Sequence, residues 1–146
     1  MLVTVTAAGI CGSDLHNFRT GAWISRSPAV AGHEFAGRVV AIGEGVIGLK
    51  VGDAVVADSR VTCGVCAACR GGRPNVCEKL GFVGEVCEGG FAEEAVLPAS
   101  LLVKAPANLD AVVLAMAEPL AVALHAIKRL SVPAGSPVLI AGCGPI

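Results

Sequence analysis

The chain has 146 residues, 54% of them hydrophobic and 16% charged, which is enough apolar material for one packed domain. Its formal net charge is −1 with Lys and Arg scattered along the chain, so no basic stripe exists to hold a phosphate backbone and nucleic acid is not an expected partner. The longest apolar region, Ala105 to Ile127, is broken by Asp110, Glu118, Pro119 and His125, whereas a spanning helix needs about 20 nearly uncharged residues; no basic leader precedes the first strand either, so a soluble, cytoplasmic protein is expected.

Nineteen glycines and eight prolines cut the chain into short pieces that suit strands and turns. Leu2 to Thr6 alternates Val3 and Val5 with Thr4 and Thr6, the pattern of a half-buried strand. Arg38 to Ile42, Asp53 to Ala57 and Glu93 to Leu97 are further strand candidates bounded by turn residues. Residues 58 to 90 hold five of the seven cysteines, an irregular lobe long enough to need something that fixes it. At Asp110 the texture changes. Ala111 to Ala117 reads as a short helix capped by Asp110, and Pro119 opens a second one running to about Leu130. Ser131 to Pro137 is a linker, and Val138 to Ala141 reads as a buried strand leading into Gly142-Cys143-Gly144.

Cys63, Cys66, Cys69 and Cys77 are spaced C-x2-C-x2-C-x7-C. Such short spacings let thiolates converge on one ion, and four sulfurs close a tetrahedral structural zinc site. An iron–sulfur cluster uses similar spacings and is the rival; a disulfide framework fits poorly with a chain lacking an export signal.

A second group is dispersed. Cys11 opens Cys11-Gly12-Ser13-Asp14-Leu15-His16, and 22 residues later comes Gly32-His33-Glu34. Each residue alone has an ordinary structural explanation. Together, thiolate, imidazole and carboxylate make the mixed donor set of a catalytic zinc site with an open position. Glu118, at a helix break beside Leu114, Met116 and Leu120, is either an exposed helix-end carboxylate or one held near a cation.

These segments carry a resemblance. Gly32-His33-Glu34-Phe35-Ala36-Gly37, with Gly43 and Val46 following, resembles the zinc signature of medium-chain alcohol dehydrogenases. Cys11 to His16 is similar to that family's first ligand segment, the four-cysteine lobe falls where its structural zinc belongs, and Gly52-Asp53-Ala54-Val55 and Gly89-Gly90-Phe91-Ala92-Glu93 also match. The resemblance implies a mainly β fold with short helices: a GroES-like, partly open barrel over residues 1–130 with the zinc lobe at about 58–90 and a helical connector at 110–130. Residues 131–146 would be the linker, first strand and phosphate loop of an otherwise absent Rossmann α/β domain, and the front would be clipped.

It also implies roles. Cys11 and His33 would be catalytic zinc ligands, with Glu34 and Glu118 each a direct ligand or a carboxylate close to the metal. Asp14 would orient His33 from behind. Ser13 would take the proton of the alcohol and His16 would pass it to solvent. A glutamate at 118, where zinc alcohol dehydrogenases place a cysteine, makes Ala117 to Ala123 similar to the sorbitol, butanediol and L-idonate 5-dehydrogenase branches. The implied activity is hydride transfer between a secondary alcohol, a polyol or sugar acid, and NAD or NADP, in an enzyme that is a dimer or tetramer when complete. Gly142 and Gly144 would be what remains of the cofactor's phosphate turn, so the chain alone is expected not to turn over. The contrasting expectation is a zinc-stabilised, non-catalytic binding module. It would explain the lobe but not Cys11, His33, Glu34 and Glu118. Cys87 and Cys143 read as small apolar residues without a site role.

Overall fold

The computed structural model describes residues 1–142 and 144. Apolar and small residues in its first third form β1 (Leu2–Gly9) and β2 (Glu34–Ala41), with the helix α1 (Gly12–Thr20) between them. The chain continues through β3 (Ala54–Ala57) into a lobe made of β4 (Arg60–Val61), the single-turn α2 (Ala67–Arg70), a 3-10 turn at Pro74–Val76 and β5 (Gly81–Phe82). It then returns through β6 (Glu94–Val96) and β7 (Leu102–Lys104), and ends in α3 (Ala111–Ala115) and α4 (Ala117–Leu130).

Five strands form one antiparallel sheet in the order β6-β1-β2-β3-β7, and β4 pairs only with β5. Val3 lies opposite Val39 in the ladder, and both are buried. With Phe35, Val55, Leu97 and Val83 they form the main core. Each such side chain contributes roughly 1.5–3 kcal/mol by leaving water. Val83 comes from the end of the lobe, so the lobe and the sheet share one core. A second cluster carries Ala36 and Ala54 against Leu114 and Ala115 of α3. Alanines there let the helix backbone approach the strands closely.

The expected strands at the start of the chain, at Asp53–Ala57 and at Glu93–Leu97 are present to within a residue or a few. The strand expected at Arg38–Ile42 extends further back than its valines suggested and runs from Glu34 to Ala41. Asp110 caps α3 as expected, accepting from the Val112 amide at 2.8 Å. Pro119 sits in the first turn of α4, where a missing N–H costs nothing.

Two features differ from the sequence reading. Residues 12–20 form a helix that no apolar periodicity announces. The strand expected at Val138–Ala141 is not formed: the segment is without regular structure, and Leu139 is 92% exposed. Its apolar run has no neighbouring strand among the described residues, and a strand without a ladder gains no backbone hydrogen bonds. Cys143, Pro145 and Ile146 lie outside the described residues.

Candidate metal centre and cleft

Cys11 occupies the residue before α1, in an extended conformation. Its amide donates to Asp14 Oδ2 at 2.8 Å, so the helix start fixes where the thiol stands. His33 follows Gly32, whose φ of +94° is open to glycine, and a Cβ there would meet Phe91 Cδ1 at 2.6 Å. That glycine turns the chain into β2, with His33 just before the strand and Glu34 at its first position. Glu34 pairs with Gly9 across the ladder. The absent side chain at Gly9 leaves space for the carboxylate, since a Cβ would stand 2.6 Å from Glu34 Oε2.

Two separate segments thus bring Cys11, His33 and Glu34 together, with donor atoms within 4.8 Å of one another. His33 and Glu34 are each only 8% exposed. A thiol, an imidazole and a carboxylate at this spacing fit a zinc ion that keeps a further position open. Asp14 stands behind both ends of the group. One oxygen holds the Cys11 amide; the other faces His33 Nδ1 at 3.8 Å, too long for a hydrogen bond.

Glu118 is not part of that trio. It sits in the first turn of α4, half-buried, and accepts a hydrogen bond from the buried Ser59 hydroxyl at 2.9 Å. It nevertheless shares with Ser13 and His33 the lining of one cleft of about 540 Å³. His16 is exposed, and its ring stacks on Trp23 with centroids 4.3 Å apart. Gly142 adopts φ +107°, and both it and Gly144 are exposed.

The cysteine lobe is a separate centre. The Sγ atoms of Cys63, Cys66, Cys69 and Cys77 also lie within 4.8 Å of one another. Cys77 Sγ is 3.5 Å from Cys63 and 3.9 Å from Cys66, far beyond a disulfide bond. Backbone amides are aimed at the sulfurs: Cys63 N at Cys77, Cys66 N at Cys63, Cys69 N at Cys66 and Lys79 N at Cys77, at 3.3–3.5 Å. These donors favour thiolate. The amides of Cys69 and Glu78 pull the Cys66 thiol down, and those of Val65 and Cys66 do the same for Cys63. Burial, with Cys66 beside it, pushes Cys69 up. Four thiols crowded so closely cannot all ionise without a cation among them, and a zinc ion fits that requirement.

The cleft has residues that the sequence did not announce: Trp23, Leu80, Phe82, Glu85 and Val86. Trp23 follows α1, Leu80 comes just before β5, and the others come from β5 and the turn after it. That turn folds back against α1, where Asn17 Nδ2 donates to Glu85 Oε1 at 3.2 Å and Ser25 Oγ to the Glu85 carbonyl at 3.0 Å. The one available signal was that Trp23 is the chain's sole tryptophan.

An antiparallel open barrel with a closed four-thiolate knot, and a three-donor centre at its cleft, defines the zinc-bearing GroES-like domains. The chain belongs to the alcohol dehydrogenase GroES-like domain family, which matches residues 1–107. It is 38% identical, over its whole length, to the L-threonine 3-dehydrogenase of Bacillus subtilis, covering 43% of that protein. Among solved structures, galactitol-1-phosphate dehydrogenase of Escherichia coli is similar over 88% of this chain and 37% of its own, with a TM-score of 0.81 and 34% identity. The cobalt- and zinc-bound thermostable alcohol dehydrogenase of Pyrobaculum aerophilum matches 80% of this chain and 36% of its own, at TM-score 0.71 and 38% identity. The chain therefore spans less than half the length of these relatives. No helix among the described residues is long and apolar enough to cross a membrane.

Proposed function

We propose that the protein acts as a zinc-dependent oxidoreductase that transfers a hydride between a secondary alcohol and NAD or NADP, the alcohol being a polyol or sugar acid. The observation that carries this reading is the convergence of Cys11, His33 and Glu34 beside a cleft that also contains Ser13 and Glu118. Cys11 and His33 would hold the catalytic ion, with Glu34 as the third ligand, and Cys63, Cys66, Cys69 and Cys77 would hold a structural one. Zinc at the first centre supplies Lewis-acid polarisation of an alcohol oxygen.

The chain's own residues do the rest. Asp14 fixes Cys11 and faces His33, keeping the donors in place. Ser13 lines the cleft and takes the proton of the alcohol hydroxyl as it releases its own, and His16, exposed and steadied by Trp23, passes that proton on to water. Glu118, held by Ser59, is a carboxylate for substrate hydroxyls or for the metal's surroundings. Residues 1–130 form the catalytic domain, and 131–146 are the linker and first phosphate turn of a nucleotide-binding domain. By themselves the 146 residues are expected to hold zinc without turning over, because two glycine amides with no helix behind them are a poor seat for a pyrophosphate.

The test is NAD(P)-linked oxidation of polyols and sugar acids by the protein extended through its cofactor domain, with zinc counted in the same preparation. About two ions per chain and activity lost with His33→Gln are expected. One ion per chain in correctly folded, zinc-replete protein would overturn the two-centre assignment.

A further inference from the structure

Glu85 is the cleft residue that the proposed chemistry leaves without a task, and its surroundings are built with unusual care. Asn17 is buried, and its side-chain orientation is set from both ends. Its Oδ1 accepts from the Trp23 amide at 3.2 Å, so its Nδ2 must be the group facing Glu85 Oε1, also at 3.2 Å. The Glu85 carbonyl accepts from the amide and hydroxyl of Ser25 at 3.2 and 3.0 Å, and its own amide donates to the Phe82 carbonyl at 3.0 Å. Backbone and one carboxylate oxygen are thereby fixed, and Oε2 takes no hydrogen bond from a described residue. A carboxylate pinned this way at a cleft wall is preorganised to meet a ligand.

The charge of the cleft is one-sided. Glu85 and Glu118 both line it, and no Lys or Arg does among the described residues. The cation near Glu118 is Arg60, but it does not line the cleft, and its Nε and Nη2 donate to the Asp58 carboxylate at 3.0 and 2.8 Å, which offsets its charge. A divalent ion on Cys11, His33 and Glu34 would be offset by the thiolate and the carboxylate that hold it. Trp23, Leu80, Phe82 and Val86 add apolar wall. A substrate carboxylate or phosphate would find repulsion here, a neutral hydroxyl would find an acceptor, and an ammonium would find an ion-pair partner next to an aromatic face.

We propose that Glu85, held by Asn17, is a specificity-determining residue that makes this cleft take neutral or cationic hydroxyl compounds and turn away anionic ones. This rests on the reading of the cleft as an alcohol site and narrows it away from sugar acids. The probes are an alditol, the aminodeoxyalditol of the same configuration and the corresponding aldonate, compared in the full-length zinc-loaded enzyme by kcat/KM and by calorimetric binding. Wild type should favour the alditol and the aminodeoxyalditol over the aldonate. Glu85→Gln keeps the acceptor for Asn17 but removes the charge, so it should shrink the alditol-to-aldonate ratio by about 3- to 10-fold and weaken the amino compound selectively.

A wild-type preference for the aldonate, ratios unchanged in Glu85→Gln, or no binding of any of the three would overturn the assignment. Binding that follows charge in the expected order without oxidation would uphold it and refute the hydride-transfer reading instead.

Discussion

The two centres share only the cysteine thiol among their donors, and they are put together in opposite ways. The four cysteines of the lobe lie within fifteen consecutive residues, and neighbouring amides of the same lobe are aimed at their sulfurs. Cys11, His33 and Glu34 come from the start of a helix and the start of a strand, and meet only because β1 and β2 pair. A short-range site can form as soon as metal arrives, and the ion then organises its own lobe. A site assembled by a sheet already exists as a consequence of folding, so metal is added to it. The first kind of site supports the structure; the second leaves a coordination position for chemistry.

The sharpest way to break this contrast is to remove one ligand from each centre. Cys69→Ser should lower the lobe's hold on its ion, expose residues 58–90 to proteolysis and lower the thermal midpoint. Structural zinc binding is worth roughly 10–16 kcal/mol in small zinc-dependent domains, as much as the whole stability of an ordinary one. His33→Gln should instead remove one ion and the activity while leaving the lobe protected. Metal analysis and limited proteolysis of the pair read both effects. If His33→Gln also opened the lobe, the centres would be one folding unit and the contrast would fail.

A smaller effect is expected at Asp14, whose one carboxylate accepts from the Cys11 amide and faces His33. Asp14→Asn retains an acceptor for the Cys11 amide but loses the charge facing His33. Supporting residues of this kind typically govern about 10- to 100-fold in metal affinity. Competition with a chelator should show that loss at one ion per chain only. Equal loss at both ions would mean that Asp14 acts through global stability.

Smaller again is the proton route. His16→Gln removes the imidazole stacked on Trp23 without touching any ligand. Zinc content should stay the same, and alcohol oxidation should slow most at low pH, where hydroxide is too scarce to take the proton directly. General acid–base groups are worth about 10²–10⁴-fold, and an exposed relay member belongs at or below the bottom of that range. A pH–rate profile unaltered in shape and height would remove His16 from the route.

The contrast between the centres also explains what could be read from residues alone. The lobe's ligands were legible because thiol spacing itself is the constraint. Cys11, His33 and Glu34 were grouped by their mixed donor types and by their resemblance to a family, since no local rule connects positions 22 residues apart. The cleft wall of Trp23, Phe82 and Glu85 was missed because it depends on the lobe's last turn folding back onto α1, a contact carried by Asn17 across 68 residues. The helix α1 itself has no apolar stripe, and its buried residue is the polar Asn17. Val138–Ala141 shows the reverse error: apolar β-branched composition predicted a strand, but composition supplies no ladder partner.

The last prediction uses a residue that belongs to neither centre. Asp53, at the entrance to β3, accepts from the Lys50 amide at 3.0 Å and from Lys104 Nζ of β7 at 2.9 Å. The bond from Lys104, reinforced by the Lys50 amide, holds its carboxyl below the ordinary aspartate value. A carboxyl that ionises more readily when folded adds stability at every pH above its unfolded value. That stability is lost as pH falls through the lower folded value, because both states then carry the proton. Asp53→Asn keeps the acceptor for the Lys50 amide and loses the ion pair, so it should be modestly less stable than wild type at neutral pH. The gap should close below about pH 4. Acid release of zinc from the cysteines affects both proteins alike and cancels from the difference. Urea unfolding of zinc-loaded wild type and variant between pH 3 and 7, with metal content checked at neutral pH, measures this. A gap that widened toward acid would reverse the sign and show that Asp53 is better accommodated protonated. A loss of either ion at neutral pH would show that the sheet's edge is coupled to a centre after all.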